Sequence, residues 1–96
     1  MNISLEIRQI LADHIPDLRK RYPIGALALF GSVTREDFTP DSDIDIMVEF
    51  NGEIGWEFFD LKDELEKLLG RRVDLISKRA IKPHYWEYIN QDLVNV

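Results

Sequence analysis

The chain has 96 residues, 45% of them hydrophobic and none of them cysteine, enough for one core and too few for two comfortable domains, so one domain over residues 1–96 is expected. Disulfides, thiolate zinc sites and nucleophilic thiols are excluded, and no apolar run approaches the ~20 residues that a bilayer-spanning helix needs. A net charge of −6, from 18 acidic and 12 basic residues, argues against an extended nucleic-acid surface; with Glu6 and Arg8 leaving no signal-peptide core, a soluble cytoplasmic protein is expected.

Ile7, Ile10, Leu11, Ile15 and Leu18 recur at spacings of three and four, which predicts an amphipathic helix from about Ser4, kinked or split at Pro16. Residues 25–30, GALALF, form a short continuous apolar run that suits a strand buried on both faces and ending at Gly31. Residues 32–42 hold Ser, Thr, Pro and acids, with room for one helical turn over 34–37. From Asp43 the pattern alternates: Ile44, Ile46, Val48 and Phe50 face one way, while Asp43, Asp45, Met47 and Glu49 face the other. Asn51-Gly52 signals a turn. Residues 56–69 give the strongest helical pattern, with Phe58, Leu61, Leu65, Leu68 and Leu69 along one stripe and Gly70 placed to end it. Residues 72–76 read as a third strand, and Lys82-Pro83 opens a last helix carrying Tyr85, Ile89 and Leu93 on one side.

Strand, four-turn helix and strand make a crossover unit, which favours parallel neighbours starting at the same edge. Asp43 and Asp45 lie at the start of one strand and Asp74 two residues into the next, so a strand spacing of roughly 4.8 Å brings three carboxylates together. Like charges about 4 Å apart repel by on the order of 4 kcal/mol per pair at an effective dielectric of 20, a large fraction of a domain's total stability of roughly 5–15 kcal/mol. Protonation, arginine, water or a divalent cation must relieve them, and an all-oxygen donor set suits Mg²⁺ with substrate phosphate. A calcium-loop reading from Asp41 fails, since Ile46 and Gly52 stand where the loop needs Gly and Glu. The phosphate-loop pattern is also missing, for no Lys follows Gly31 at the required distance. Gly31-Ser32 offers another device: backbone N–H groups that approach an anion closely, with the Ser32 hydroxyl as a further donor.

Gly31-Ser32, ten intervening residues, Asp43-x-Asp45 and a distal Asp74 resemble the signature of the nucleotidyltransferase superfamily that includes DNA polymerase beta. The phrases LALFGS and DSDIDIMVEF and the chain length are similar to its minimal nucleotidyltransferase group over nearly the whole chain. Arg35 resembles the usual loop arginine, while Glu36 stands where a glycine commonly follows it. The resemblance implies an α/β single-domain nucleotidyltransferase fold, with a small mixed sheet of three to four strands and helices mainly on one face. It implies transfer of AMP from ATP with loss of pyrophosphate, with Asp43, Asp45 and Asp74 as catalytic residues holding Mg²⁺, two ions in the scheme. Gly31, Ser32 and Arg35 are the implied contacts to ATP. Minimal members resemble antitoxins that adenylylate a tyrosine of a partner HEPN-domain ribonuclease, which makes such a toxin the implied partner. A binding-only antitoxin and transfer to RNA or a small molecule are the alternatives.

The remaining residues read more plainly. His14 and His84 are expected at the surface or at helix ends, Asp41 in a turn after Pro40, and Lys78 and Arg79 in solvent rather than on a triphosphate. Tyr85, Trp86 and Tyr88 are expected to close the core, and Trp56 and Phe59 to anchor the start of their helix.

Overall fold

The computed structural model describes residues 3–35 and 37–96; Glu36, the departure from the family's loop pattern, lies outside them. Helix α1 runs Ile3–Arg21 and is not split at Pro16. Proline removes one backbone donor and crowds the preceding turn, but Pro16 lies on the exposed face while Ile15 and Leu18, both buried, hold the helix to the core around it.

Four strands follow: β1 (Ile24–Phe30), β2 (Ile44–Phe50), β3 (Val73–Ser77) and β4 (Val94–Asn95). Their order in the sheet is β3-β2-β1-β4. β2 pairs parallel with β3, as the crossover through α2 (Glu57–Leu69) requires, and β1 pairs antiparallel with β2 and β4. The sheet is therefore mixed. β4 was not foreseen in place; it is two residues long, and its pairing is extended by the Val96 N–H donating to the Leu27 carbonyl at 3.0 Å.

Period-two alternation decides which face is which. Ile44, Ile46 and Val48 are fully buried and stand beside Leu29, Leu27, Val73 and Leu75 of the flanking strands. This face meets Ile7, Leu11, Ile15 and Leu18 of α1 and Leu61 and Leu65 of α2 in one continuous core. The opposite face carries Asp45, Met47 and Glu49, with Met47 buried beside Ala28. Gly70 ends α2 in the left-handed conformation (φ 64°), its N–H donating to the Glu66 carbonyl at 2.8 Å, as expected of a glycine terminator.

Helix α3 (Pro83–Asn90) starts at the expected proline but closes no core. None of its residues is buried, Tyr85 is 58% exposed and Tyr88 70%, and Leu93 falls beyond its end. Trp56 and Phe59 likewise fail as anchors: Trp56 is 83% exposed, its ring lying 5.8 Å from that of Phe59. Leu61 and Leu65 fill the space beneath α2 and Phe58 packs against the core beside them, so Trp56 and Phe59 stay outside.

Candidate active site

The parallel register sets Asp45 directly opposite Asp74, on the sheet face away from the core. Asp43 stands one residue before β2, and its carboxylate meets the Arg72 guanidinium at 3.4 Å. The three aspartates thus gather at one end of two neighbouring strands, without forming a closed cage. Among the described residues no three acidic or imidazole side chains stand close enough to chelate an ion as they are placed.

Asp45 is the electrostatic centre. Its half-buried carboxyl is pushed up to about 6, first by loss of water and then by the charges of Asp74 and Asp43, while Arg35 pulls the other way. Burial and neighbouring negative charge both disfavour the ionised carboxylate, and a bound divalent cation would favour it against both.

β1 leads straight into this place. Phe30 pairs with Asp45, and Gly31 turns the chain away with φ +72° into a 3₁₀ turn over Gly31–Thr34. The turn begins three residues earlier than the sequence suggested, directly at the strand end. Both constraints on Gly31 are physical: a Cβ there would lie 2.2 Å from Asp45 Oδ2, and positive φ is costly for any residue with a Cβ. Thr34 Oγ1 donates to the Gly31 carbonyl at 2.8 Å and the Arg35 N–H to the Ser32 carbonyl at 2.9 Å, which closes the turn on itself.

Gly31, Ser32, Arg35 and Asp45 line a cavity of about 290 Å³ whose other wall is formed by residues at and beyond the end of α3, including Tyr88 and Asp92. Arg35 reaches across it, donating to Asp92 at 2.6 Å, and pairs with Asp37 at 3.1 Å. Its two carboxylate partners occupy the guanidinium, which in turn holds the Asp37 carboxyl below the usual range. Tyr88 and Asp92 were missed as wall residues because no motif marks them; they arrive through the packing of α3, which periodicity alone does not orient.

The other sequence expectations divide. Asp41 is an exposed turn residue and His14 an exposed one, its ring nitrogen 2.8 Å from the Ile10 carbonyl oxygen. Exposed His84 lies against Tyr85, ring centroids 4.3 Å apart. Lys78 pairs with Glu49 at 2.9 Å and sits over the Trp86 ring, while Arg79 donates to the Phe50 carbonyl; both stand at the far ends of their strands from Asp45.

Whether this site accepts a hard cation can be judged from its donors. They are carboxylate oxygens and backbone, Asp45 carries uncompensated charge, and the Gly31 backbone comes as close as a glycine allows, all of which fits Mg²⁺ with a phosphate ligand.

Residues 11–95 match the family model described as a nucleotidyltransferase domain. A Methanocaldococcus jannaschii protein named "putative protein adenylyltransferase" is 44% identical over 100 residues, with both chains covered in full. Protein adenylyltransferase MntA of Thermococcus cleftensis is 39% identical over 93 residues, covering 95% of this chain and 93% of that one. Among solved structures, one named "putative minimal nucleotidyltransferase" superposes with a TM-score of 0.76 at 32% identity, over 100% of this chain and 97% of its own. A toxin-antitoxin structure with AMP-PNP shares the fold at 24% identity (TM-score 0.69, covering 96% of this chain and 70% of that one). So does a chain from the structure of a tri-AMPylated Shewanella oneidensis HEPN toxin in complex with MNT antitoxin, at 22% identity (TM-score 0.62, 99% and 71%). With its fold, its strand-end aspartates and these relatives in agreement, the chain belongs to the nucleotidyltransferase family of enzymes, on the minimal branch of MntA-type protein adenylyltransferases.

Proposed function

We propose that this enzyme moves AMP from ATP to a tyrosine hydroxyl of a HEPN-domain ribonuclease in the cytoplasm, and so acts as its antitoxin. The observation that carries the chemistry is the register pairing of Asp45 with Asp74 beside the Gly31 turn. Support for the partner comes from a structural relative that is an antitoxin bound to a tri-AMPylated HEPN toxin, and support for the donor from a relative with AMP-PNP.

In this reading Asp43 and Asp45, helped by Asp74, would hold Mg²⁺, and Asp43 would turn from the exposed Arg72 to do so, a pair too solvated to resist. Mg²⁺, as two ions, would neutralise charge on the transferring phosphoryl group and on the leaving oxygen. Gly31 N–H and the Ser32 hydroxyl bind the β- and γ-phosphates, with Arg35 beside them once it leaves Asp92. Asp74 orients the attacking hydroxyl and takes its proton. The acidic surface of the domain (net charge −6) favours a basic protein partner.

The test is incubation with labelled ATP, Mg²⁺ and the ribonuclease, comparing wild type with Asp43→Asn/Asp45→Asn. Label should reach a tyrosine of the ribonuclease, silence it, and vanish with the double substitution. Neutralisation that survives the double substitution undiminished would instead mean inhibition by binding, and label found on RNA or a small molecule would move the acceptor.

A further inference from the structure

The wall of the 290 Å³ cavity contains an acceptor of the proposed kind. Of the three tyrosines, Tyr22 is buried and donates its hydroxyl to Glu64, in a cluster with Arg21 on the helix side of the sheet. Tyr85 is exposed but lies against His84 and does not line the cavity. Tyr88 does line it, together with Gly31, Ser32 and Asp45, and is 70% exposed. Its hydroxyl makes no hydrogen bond to any described residue. A phenol is the nucleophile that the proposed reaction uses, and this one shares the cavity wall with Asp45 and the Gly31-Ser32 turn.

The element that carries it can move. Helix α3 has eight residues, none of them buried, so its position costs little to change. At the far end of the same wall Asp92 is held by an exposed arginine, Arg35, which the triphosphate is expected to recruit. Entry of ATP would therefore free the segment that follows Tyr88 while bringing the α-phosphorus into the cavity that Tyr88 faces.

We propose that the enzyme adenylylates its own Tyr88, within one molecule. The inference rests on the nucleotidyl-transfer reading above. Tyr88 Oη attacks the α-phosphorus of ATP and forms an Oη–P bond. The bond from the α-phosphorus to the bridging oxygen breaks, and pyrophosphate leaves with that electron pair. The phenolic proton passes to Asp74 and from there to water. The product carries AMP tethered in its own cavity, so self-modification closes the site to a second ATP and competes with transfer to a partner.

The experiment takes the purified full chain with ATP and Mg²⁺ and no partner. Intact mass should rise by one adenylyl group, and peptide sequencing should place it on Tyr88. Tyr85→Phe should still acquire the group. Tyr88→Phe, shown to be folded by its melting transition, should not. Mixed with wild type, an isotopically heavy Asp45→Asn chain should stay unmodified, and the rate per wild-type chain should not change on dilution.

Independently, Mg·ATP should raise the melting temperature of unmodified wild type and not of Asp45→Asn, and should lose that effect on the modified protein. Stabilisation by Mg·ATP without a Tyr88 adduct overturns self-adenylylation and leaves the nucleotidyl-transfer reading standing. An adduct at another residue, one that persists in Tyr88→Phe, or one that appears on the heavy chain also overturns it. Neither stabilisation nor adduct overturns both.

Discussion

Asp45 binds its proton up to about pH 6 in the folded chain, against an ordinary carboxylate value of 3.8, because burial and the Asp74 and Asp43 charges oppose ionisation. Between these values the folded state holds a proton that the unfolded state has already released, so stability falls as pH rises through roughly 4 to 6 and then levels off. Glu64 works in the opposite sense. Arg21 and Tyr22 hold it below its usual range, so the stability it supplies is lost as pH falls. Asp45→Asn removes only the first effect. In metal-free buffer above pH 6 its melting temperature should exceed that of wild type by a few degrees, the two converging towards pH 4. Solvent reaching a half-exposed group keeps the gain near or below about 1 kcal/mol, and that much moves a domain of this size by roughly 4–8 °C. Mg²⁺ should flatten the wild-type profile and leave the variant's unchanged. That Asp45 and Asp74 would meet was legible in the sequence, since two-residue alternation and a crossover helix fix face and direction. That Asp43 would turn to Arg72 was not, because an exposed pair between neighbouring strand ends leaves no periodic trace.

At the scale of elements, α2 and α3 differ in what holds them. α2 was readable from its stripe and from Gly70, and its Leu61 and Leu65 are fully buried. α3 was readable as a helix from Lys82-Pro83, but its apolar spacing misled, because the helix lies outside the core with none of its residues buried, and Leu93 lies past its end. β4, two residues long, lacked enough chain to show a period. The segment from α3 to β4 is tied to the site by Asp92 and Arg35 and to the sheet's other end by Lys78 over Trp86. Asp92→Asn should loosen it alone. Solvated ion pairs contribute about 0–1 kcal/mol, so amide exchange in residues 83–95 should accelerate by up to roughly fivefold, with α1 and α2 unchanged. The same substitution leaves Arg35 with only Asp37 to satisfy it, and Mg·ATP should bind more tightly. Unchanged exchange throughout, measured by mass spectrometry, would show that the pair does not hold this segment.

For the molecule as a whole, one core must keep two strands in register for the site to exist. α2 is the link between β2 and β3, and its Leu65 is fully buried against the face opposite Asp45 and Asp74. Leu65→Ala should lower unfolding stability by about 2–5 kcal/mol, the range for removing a buried leucine, out of a total of roughly 5–15. Loss on that scale leaves a folded but marginal protein in which site and core fail together. A ligand bound only by the folded state opposes the loss by mass action, by about 2.7 kcal/mol at one hundred times its dissociation constant. Mg·ATP should therefore restore much of the melting temperature of Leu65→Ala. It should restore none of it when Asp45→Asn is added, because the second substitution removes the ion's place while leaving the first defect in the core. Equal rescue of the single and double variants, followed by thermal melting, would mean that ATP stabilises this fold from somewhere other than the strand-end aspartates.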